Sequence, residues 1–115
     1  MGRLKADALM GFGAAALASR RDIIRLAASA RLPSVFTDRQ YVEDGALLSY
    51  GVDLADLFRR AAGYVDRILK GAKPADLPFE QPTRFLLAVN LKTAEALGIT
   101  IPQTLLLQAD QVVDK

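Results

Sequence analysis

The sequence has no cysteine and no histidine among its 115 residues. Their absence excludes disulfides, thiolate nucleophiles and imidazole bases, together with the usual ligands of zinc, copper and haem. An excess of one charge sign is also lacking, because 15 Lys and Arg residues alternate along the chain with 13 Asp and Glu residues. A net charge of +2 with no basic face argues against a nucleic-acid or anionic-lipid partner. Most familiar catalytic machinery is therefore absent.

Long apolar runs are missing as well, and no segment provides the roughly 20 residues that a membrane helix requires. The N-terminal segment imitates a secretory signal, because Arg3 and Lys5 precede the apolar stretch 8–18. Asp7 places a charge at the start of that stretch, so we predict that it is not an export signal. The hydrophobic fraction of 51% and the charged fraction of 24% are typical of one globular domain.

The order of apolar segments predicts an α/β fold. Residues 8–12 form a short apolar run that ends in glycine, which is typical of a buried parallel strand and its turn. Ser19 and Asp22 have the spacing of a capping box and predict that a helix begins there. Further strands are predicted at residues 34–37, 46–51 and 84–91, the first two separated by the polar stretch 38–45.

Residues 54–69 carry the strongest periodic signal in the chain. Apolar side chains recur there at steps of three and four, Asp53 is placed to cap the helix, and Gly71 to end it. Three prolines then predict an extended connector over residues 73–82. Beyond it we expect one or two helical turns at 93–97 and a last short strand or edge segment at 105–107.

Residues 11–16 match the G-x-G-x-x-G/A pattern between a predicted strand and a predicted helix. Asp38 follows the next strand, where a ribose-binding acid would lie, so the pattern taken alone indicates a nicotinamide dinucleotide site. Against this, a helix that begins at Ser19 would leave the phosphate-facing amides a turn too early. The alternative is a glycine-containing loop at the carboxyl edge of a sheet.

A longer resemblance covers most of the chain. The tract from Ala46 to Pro102 resembles the C-terminal portion of ABC-transporter substrate-binding proteins, in the branch that includes binders of aromatic amino acids such as tryptophan. The residues that carry it are 46–53, 57–78, 80–85, 89–94 and 96–102. The resemblance implies a type I periplasmic-binding-protein fold, in which two α/β lobes close on a small solute and present it to a membrane permease.

That resemblance implies a mostly parallel small sheet flanked by helices, equal to one lobe plus crossover segments. It implies a protein outside the cytoplasm that is not an enzyme and needs no cofactor or metal. We expect one partial domain over residues 1–115, lacking a first lobe and an export signal because the gene is truncated or the sequence trimmed. Its parts are a lobe-like region 4–52, a crossover helix 53–71, a connector 72–83 and a C-terminal segment 84–115.

The predicted solute site lies where the carboxyl ends of the strands meet, because helix N-termini and free backbone amides converge there. In this interpretation Ser49 hydrogen-bonds a polar or carboxylate group, and Tyr50 offers a ring face and a hydroxyl. The alternative is that these residues only shape turns, in a non-binding structural remnant or interaction module. The candidate contacts are Gly13, Ala14 and Ala15, then Thr37 and Asp38, and finally Ser49, Tyr50 and Gly51.

The apolar stripe of the 53–71 helix has no predicted sheet of its own to cover it. Such a stripe exposes more apolar surface than monomers usually tolerate, and its burial favours association. We therefore expect a homodimer through this helix, in which the helix or the strand at 85–91 is exchanged between subunits.

Overall fold

The computed structural model describes residues 5–115; residues 1–4, which include Arg3 and the first residue of the predicted 4–52 region, lie outside this range. Five strands and six α-helices make up the described part of the chain, and Pro74–Asp76, in the connector predicted to be extended, form a short 3-10 helix. The strands and α-helices are β1 (Leu9–Gly11), α1 (Ala14–Ala18), α2 (Arg20–Ser29), β2 (Ser34–Phe36), α3 (Arg39–Glu43), β3 (Leu48–Val52), α4 (Leu54–Leu69), β4 (Phe85–Asn90), α5 (Leu91–Leu97), α6 (Gln103–Gln108) and β5 (Gln111–Val113).

The strands form one sheet in the order β1-β2-β3-β4-β5. β1 pairs in parallel with β2, β2 with β3, and β4 with β5. A helix follows β1, β2 and β4 along the chain, which is the arrangement that parallel pairing requires. The predicted α/β class with a small, mostly parallel sheet is confirmed.

The described chain divides into two compact units, residues 5–51 with 86–115, and residues 52–85. The first unit holds the core. One cluster joins Ile24 of α2, Phe36 of β2 and Tyr41 of α3, and a second joins Val42 of α3 to Ala88 and Val113 of the last two strands. Adjacent residues of α3 thus contribute to both clusters.

Two predicted features of this unit are wrong, the capping box and the strand at 105–107. A helix does begin after Ser19, since Ser19 is the N-cap residue of α2, but its side chain makes no capping bond, and α1 already begins at Ala14. Asp22 instead accepts a bond from Arg25. The predicted strand at 105–107 is helical, within α6, because Pro102 precedes it as the N-cap and the next strand begins only at Gln111.

The second unit consists mainly of α4 and the connector that follows it. The predicted helix at 54–69 is confirmed, and the Asp53 carboxylate accepts from the backbone N–H of Asp56 at 3.2 Å. Gly71 follows the helix at φ 108°, a left-handed conformation that favours glycine. The Tyr64 hydroxyl donates to the carbonyl of Pro78 at 2.6 Å and ties the connector to the helix.

None of the helices within residues 5–115 combines the length and the apolar character needed to cross a membrane.

Candidate functional site

The carboxyl ends of β1, β2 and β3 lie side by side. Gly11 is the register partner of Phe36, and Phe36 is the register partner of Ser49. The three strands are parallel, so the segments that follow them leave the sheet at one edge. The predicted contact residues of all three segments are therefore brought to the same edge, which we call the carboxyl edge.

At this edge the segment after β2 contacts the end of β3 closely. A Cβ atom at Gly51 would overlap the backbone carbonyl of Thr37. Gly51 is thus required by a contact between two backbones, which fixes the position of Thr37 relative to β3. The interpretation of Gly51 as a shaping residue is supported, and a role in contacting solute stays a prediction.

The segment after β1 is open. Gly13 has φ 94° and ψ 156°, a conformation that side-chain-bearing residues rarely adopt, and a Cβ atom there would meet nothing within 4 Å. Ala14 and Ala15 begin α1 and are exposed. Since the five-residue α1 starts here, the expectation that no helix begins before Ser19 is wrong, and an anion contact at this position stays a prediction.

Ser49 and Tyr50 point to opposite sides of β3, as neighbours in a strand must. Ser49 is 1% exposed and lies inside the fold, whereas Tyr50 keeps 56% of its surface accessible. Tyr50 can therefore present its ring to a solute directly. Ser49 can act on a solute only if the edge opens around it.

Asp38 caps a helix, a role that the sequence analysis did not predict. Its carboxylate accepts from the backbone N–H of Gln40 at 2.8 Å and caps α3. This helix lies within the polar stretch 38–45, where the sequence analysis predicted no helix. The capping bond uses one carboxylate oxygen, so Asp38 can still place negative charge at the carboxyl edge.

Two aromatic rings stack just beneath this edge, and the sequence analysis missed both. The rings of Phe36 and Tyr41 are parallel within 6° at a centroid distance of 4.0 Å. A Cβ atom at Gly11 would lie only 2.5 Å from the Phe36 ring, so the ring is held between Gly11 and Tyr41. The spacing of residues in the sequence does not predict this stacked pair, because Tyr41 lies in a five-residue helix that is too short to show a helical period.

The hydroxyl of Tyr41 is buried without a hydrogen-bond partner among the described residues. Burial raises the pKa of Tyr41 above 10.0, the negative charge of Asp38 raises it further, and Arg20 lowers it. Arg20 itself forms a 2.5 Å ion pair with Asp44 that joins α2 to the end of α3. Tyr41 is therefore neutral at physiological pH and stabilises the edge by packing.

Within residues 5–115 there is no group of three or more acidic side chains that could hold a metal ion. The arrangement at the carboxyl edge consists of open backbone at Gly13, one exposed aromatic ring and one capped carboxylate. Such an arrangement is suited to binding a small molecule that carries polar and aromatic groups.

Comparison with known proteins gives a consistent picture of the chain. The sequence profile of a family described as ABC transporter substrate binding protein matches residues 11–113. No curated protein matches the chain. Among solved structures, a conserved domain protein from Vibrio cholerae is 33% identical with a TM-score of 0.85, over 94% of this chain and 37% of that one.

Two further structures share the fold. An ABC domain from Streptococcus pneumonia, solved in complex with L-Trp, is 32% identical with a TM-score of 0.86, over 96% of this chain and 38% of that one. A ligand-free, open substrate-binding protein with adhesive properties from Clostridium difficile is 23% identical with a TM-score of 0.70, over 96% and 37%. The chain therefore spans less than two-fifths of the length of these structures. Because the family profile covers nearly all of the chain, this protein belongs to the family of ABC transporter substrate-binding proteins.

Proposed function

We propose that this chain contributes one side of a solute-binding site, and that the solute is a small molecule with an aromatic side chain and an amino-acid backbone. The site is the carboxyl edge. The observation that carries the proposal is the convergence of three parallel strand ends on one edge where Gly13 is open and the Tyr50 ring is exposed. The L-Trp complex of the related pneumococcal domain supports the ligand class.

Each contact has a physical role in this proposal. The backbone amides after Gly13 bind the solute carboxylate, because the backbone there is open and Gly13 has no side chain to cover it. The Tyr50 ring packs against the aromatic side chain, and Asp38 attracts the ammonium group. Ser49, Thr37 and Gly51 set the shape of the edge, with Ser49 donating to the solute when the edge opens.

Family membership supports a proposal about the partners. We infer that the solute is delivered to an ABC permease for import, outside the cytoplasm, and that the chain performs no chemistry on it. The whole importer function needs the second side of the cleft, since the chain spans only 37–38% of its similar structures. The alternative is a remnant or interaction module that keeps the fold and binds no solute.

A titration of free L-Trp distinguishes these two functions. The chain contains no tryptophan, so the fluorescence anisotropy of the ligand itself reports binding without interference. We expect the anisotropy to rise with protein concentration and L-Phe to compete. The Tyr50→Ala variant should bind L-Trp about 2- to 12-fold more weakly, because an aromatic pair contributes about 0.5–1.5 kcal/mol beyond its buried area.

Phe79→Ala is the matched control, because Phe79 is fully exposed in the connector of the other unit. It should leave the affinity unchanged. Tyr50→Phe separates ring from hydroxyl and should keep most of the affinity. An anisotropy that does not rise at millimolar protein would sink the proposal in favour of the non-binding remnant.

A further inference from the structure

A second cavity lies at the edge of the sheet opposite to the carboxyl edge. It has a volume of about 430 Å³ and is lined by the end of α2, the amino end of β2, the turn before β3 and the start of α5. The two edges are separated by the length of the strands, roughly 10–17 Å at about 3.3 Å per residue. The cavity therefore shares none of its lining with the proposed solute site.

The floor of this cavity is apolar and well packed. Ala27, Leu32 and Ala46 line it, and each is less than a tenth exposed. Alanines of α2, of the turn before β3 and of α5 leave the space open. The cavity volume falls within the range of small-molecule sites. The floor is suited to an aliphatic or aryl group rather than to a simple inorganic anion.

The rim carries two cationic side chains, Arg31 and Lys92, and no aspartate or glutamate side chain among the described residues lines the cavity. The last residue, Lys115, also lines it, and its backbone carbonyl oxygen accepts from the Asn90 side-chain amide at 3.2 Å. Elsewhere the charges are mixed, and most arginines of the described chain are engaged in ion pairs with acids. The side chains of these three rim residues form no ion pair within residues 5–115. An apolar floor beneath unpaired cations complements an anion with an apolar body.

Arg31 has a backbone conformation that residues with a side chain rarely adopt. It has φ 52°, in the left-handed region, immediately after α2. Leu32 N–H bonds the carbonyl of Ala27 at 2.9 Å, and Arg31 N–H bonds that of Ala28 at 3.1 Å, which together form a Schellman motif. Glycine is the usual residue at this point of the motif because it has no Cβ. An arginine here therefore brings a cation to the cavity rim at a cost in backbone strain.

We propose that this cavity binds an amphipathic monocarboxylate, such as a medium-chain fatty acid, with its carboxylate paired to Arg31 and Lys92. The hydrocarbon chain of the ligand lies on the cavity floor formed by α2 and the turn before β3. Ser34, whose hydroxyl accepts only a long 3.5 Å bond from Leu47 N–H, is available to donate to the ligand. This site is independent of the proposed solute site.

The test compares octanoate, 1-octanol and octylammonium on the complete ¹⁵N-labelled chain by two-dimensional NMR. We expect octanoate to shift the amide signals of residues 27–32, 34 and 45–46, while those of residues 49–51 stay in place. The alcohol should bind about tenfold more weakly, because a charge-assisted bond is roughly twice as strong as a neutral one. The ammonium should not bind. Equal binding of all three probes, or no shift with octanoate at millimolar concentration, would refute the proposal.

The Arg31→Gly variant separates two roles of Arg31. If Arg31 binds the ligand, the substitution lowers the affinity for octanoate, whereas its effect on the backbone changes only stability. Glycine relieves the strain of the positive φ angle, so the urea midpoint should rise. The affinity for octanoate should nevertheless fall about fivefold or more, and Lys92→Ala should lower it similarly. Arg21→Ala, an exposed substitution on α2 outside the cavity lining, is the control and should change neither. A more stable Arg31→Gly variant with unchanged affinity would contradict the assignment.

Discussion

Gly51 is determined by contact with a neighbouring backbone rather than by its own φ angle. A Cβ atom there would overlap the Thr37 carbonyl, which is backbone and cannot rotate away. We therefore expect Gly51→Ala to lower the free energy of unfolding by about 1–3 kcal/mol, the usual cost of forcing atoms into a packed site. Urea denaturation followed by circular dichroism measures it.

The matched control is Gly63→Ala in α4. A Cβ atom at Gly63 meets nothing within 4 Å, and the residue lies inside a helix. This change should raise stability by about 0.5–1 kcal/mol, because alanine favours the helix over glycine. If the two substitutions had the same effect, the close approach of Gly51 to Thr37 would not exist in solution.

Whether a side chain at the carboxyl edge is buried could not be predicted from the sequence. The strand-end positions themselves were predictable, because parallel strands end at one edge. Ser49 and Tyr50 were both expected to face the solute, yet they lie on opposite faces and only Tyr50 is exposed. Which face of β3 is covered depends on tertiary packing, so the sequence around Ser49 and Tyr50 did not indicate which of the two side chains is exposed.

At the scale of elements, length decided which features were predictable. The 16-residue α4 was found because its pattern repeats over four turns, whereas α3 and α6 have five and six residues and complete too few turns to show a period. The three-residue strand β5 was missed for the same reason, since pairing with β4 rather than local pattern creates it. Family resemblance supplied the fold where periodicity could not.

The N-terminus of α4 provides a prediction at this scale. Asp53 caps the helix through Asp56 N–H and forms a 3.3 Å ion pair with Arg84. Asp53→Ala should therefore cost about 1 kcal/mol and reduce the helical signal. Asp66→Ala is the control, because Asp66 forms an exposed pair with Lys70 worth a few tenths of a kcal/mol. Equal losses in thermal unfolding would show that the cap contributes nothing.

At the scale of the whole molecule, the unit formed by residues 52–85 is too small to be stable by its own core. It has 34 residues, and domains below about 40 residues usually need disulfides, metals or association. The chain has no cysteine, and the described residues offer no metal cluster. No residue of α4 is buried, and the exposed fractions of Phe58 and Leu69 are 74% and 81%. We therefore expect association to cover this surface.

The sequence of α4 favours association with a second copy of itself. Leu54, Phe58, Val65 and Leu69 fall on one face, because their spacings are close to whole helical turns. The four residues are placed symmetrically about the midpoint between Ala61 and Ala62. In an antiparallel two-fold pair, Leu54 therefore meets the partner's Leu69, Phe58 meets the partner's Val65, and the small alanines allow close approach at the centre.

We therefore expect sedimentation equilibrium to show a homodimer at micromolar concentration. Phe58→Glu combined with Leu69→Glu should weaken dimerisation by more than tenfold, because burying each apolar side chain contributes about 1.5–3 kcal/mol. Met10→Glu is the control, since Met10 is comparably exposed but lies in β1 of the other unit. A monomeric, fully folded wild-type chain at these concentrations would contradict the prediction, because the apolar face of α4 would then be stable in water without a partner.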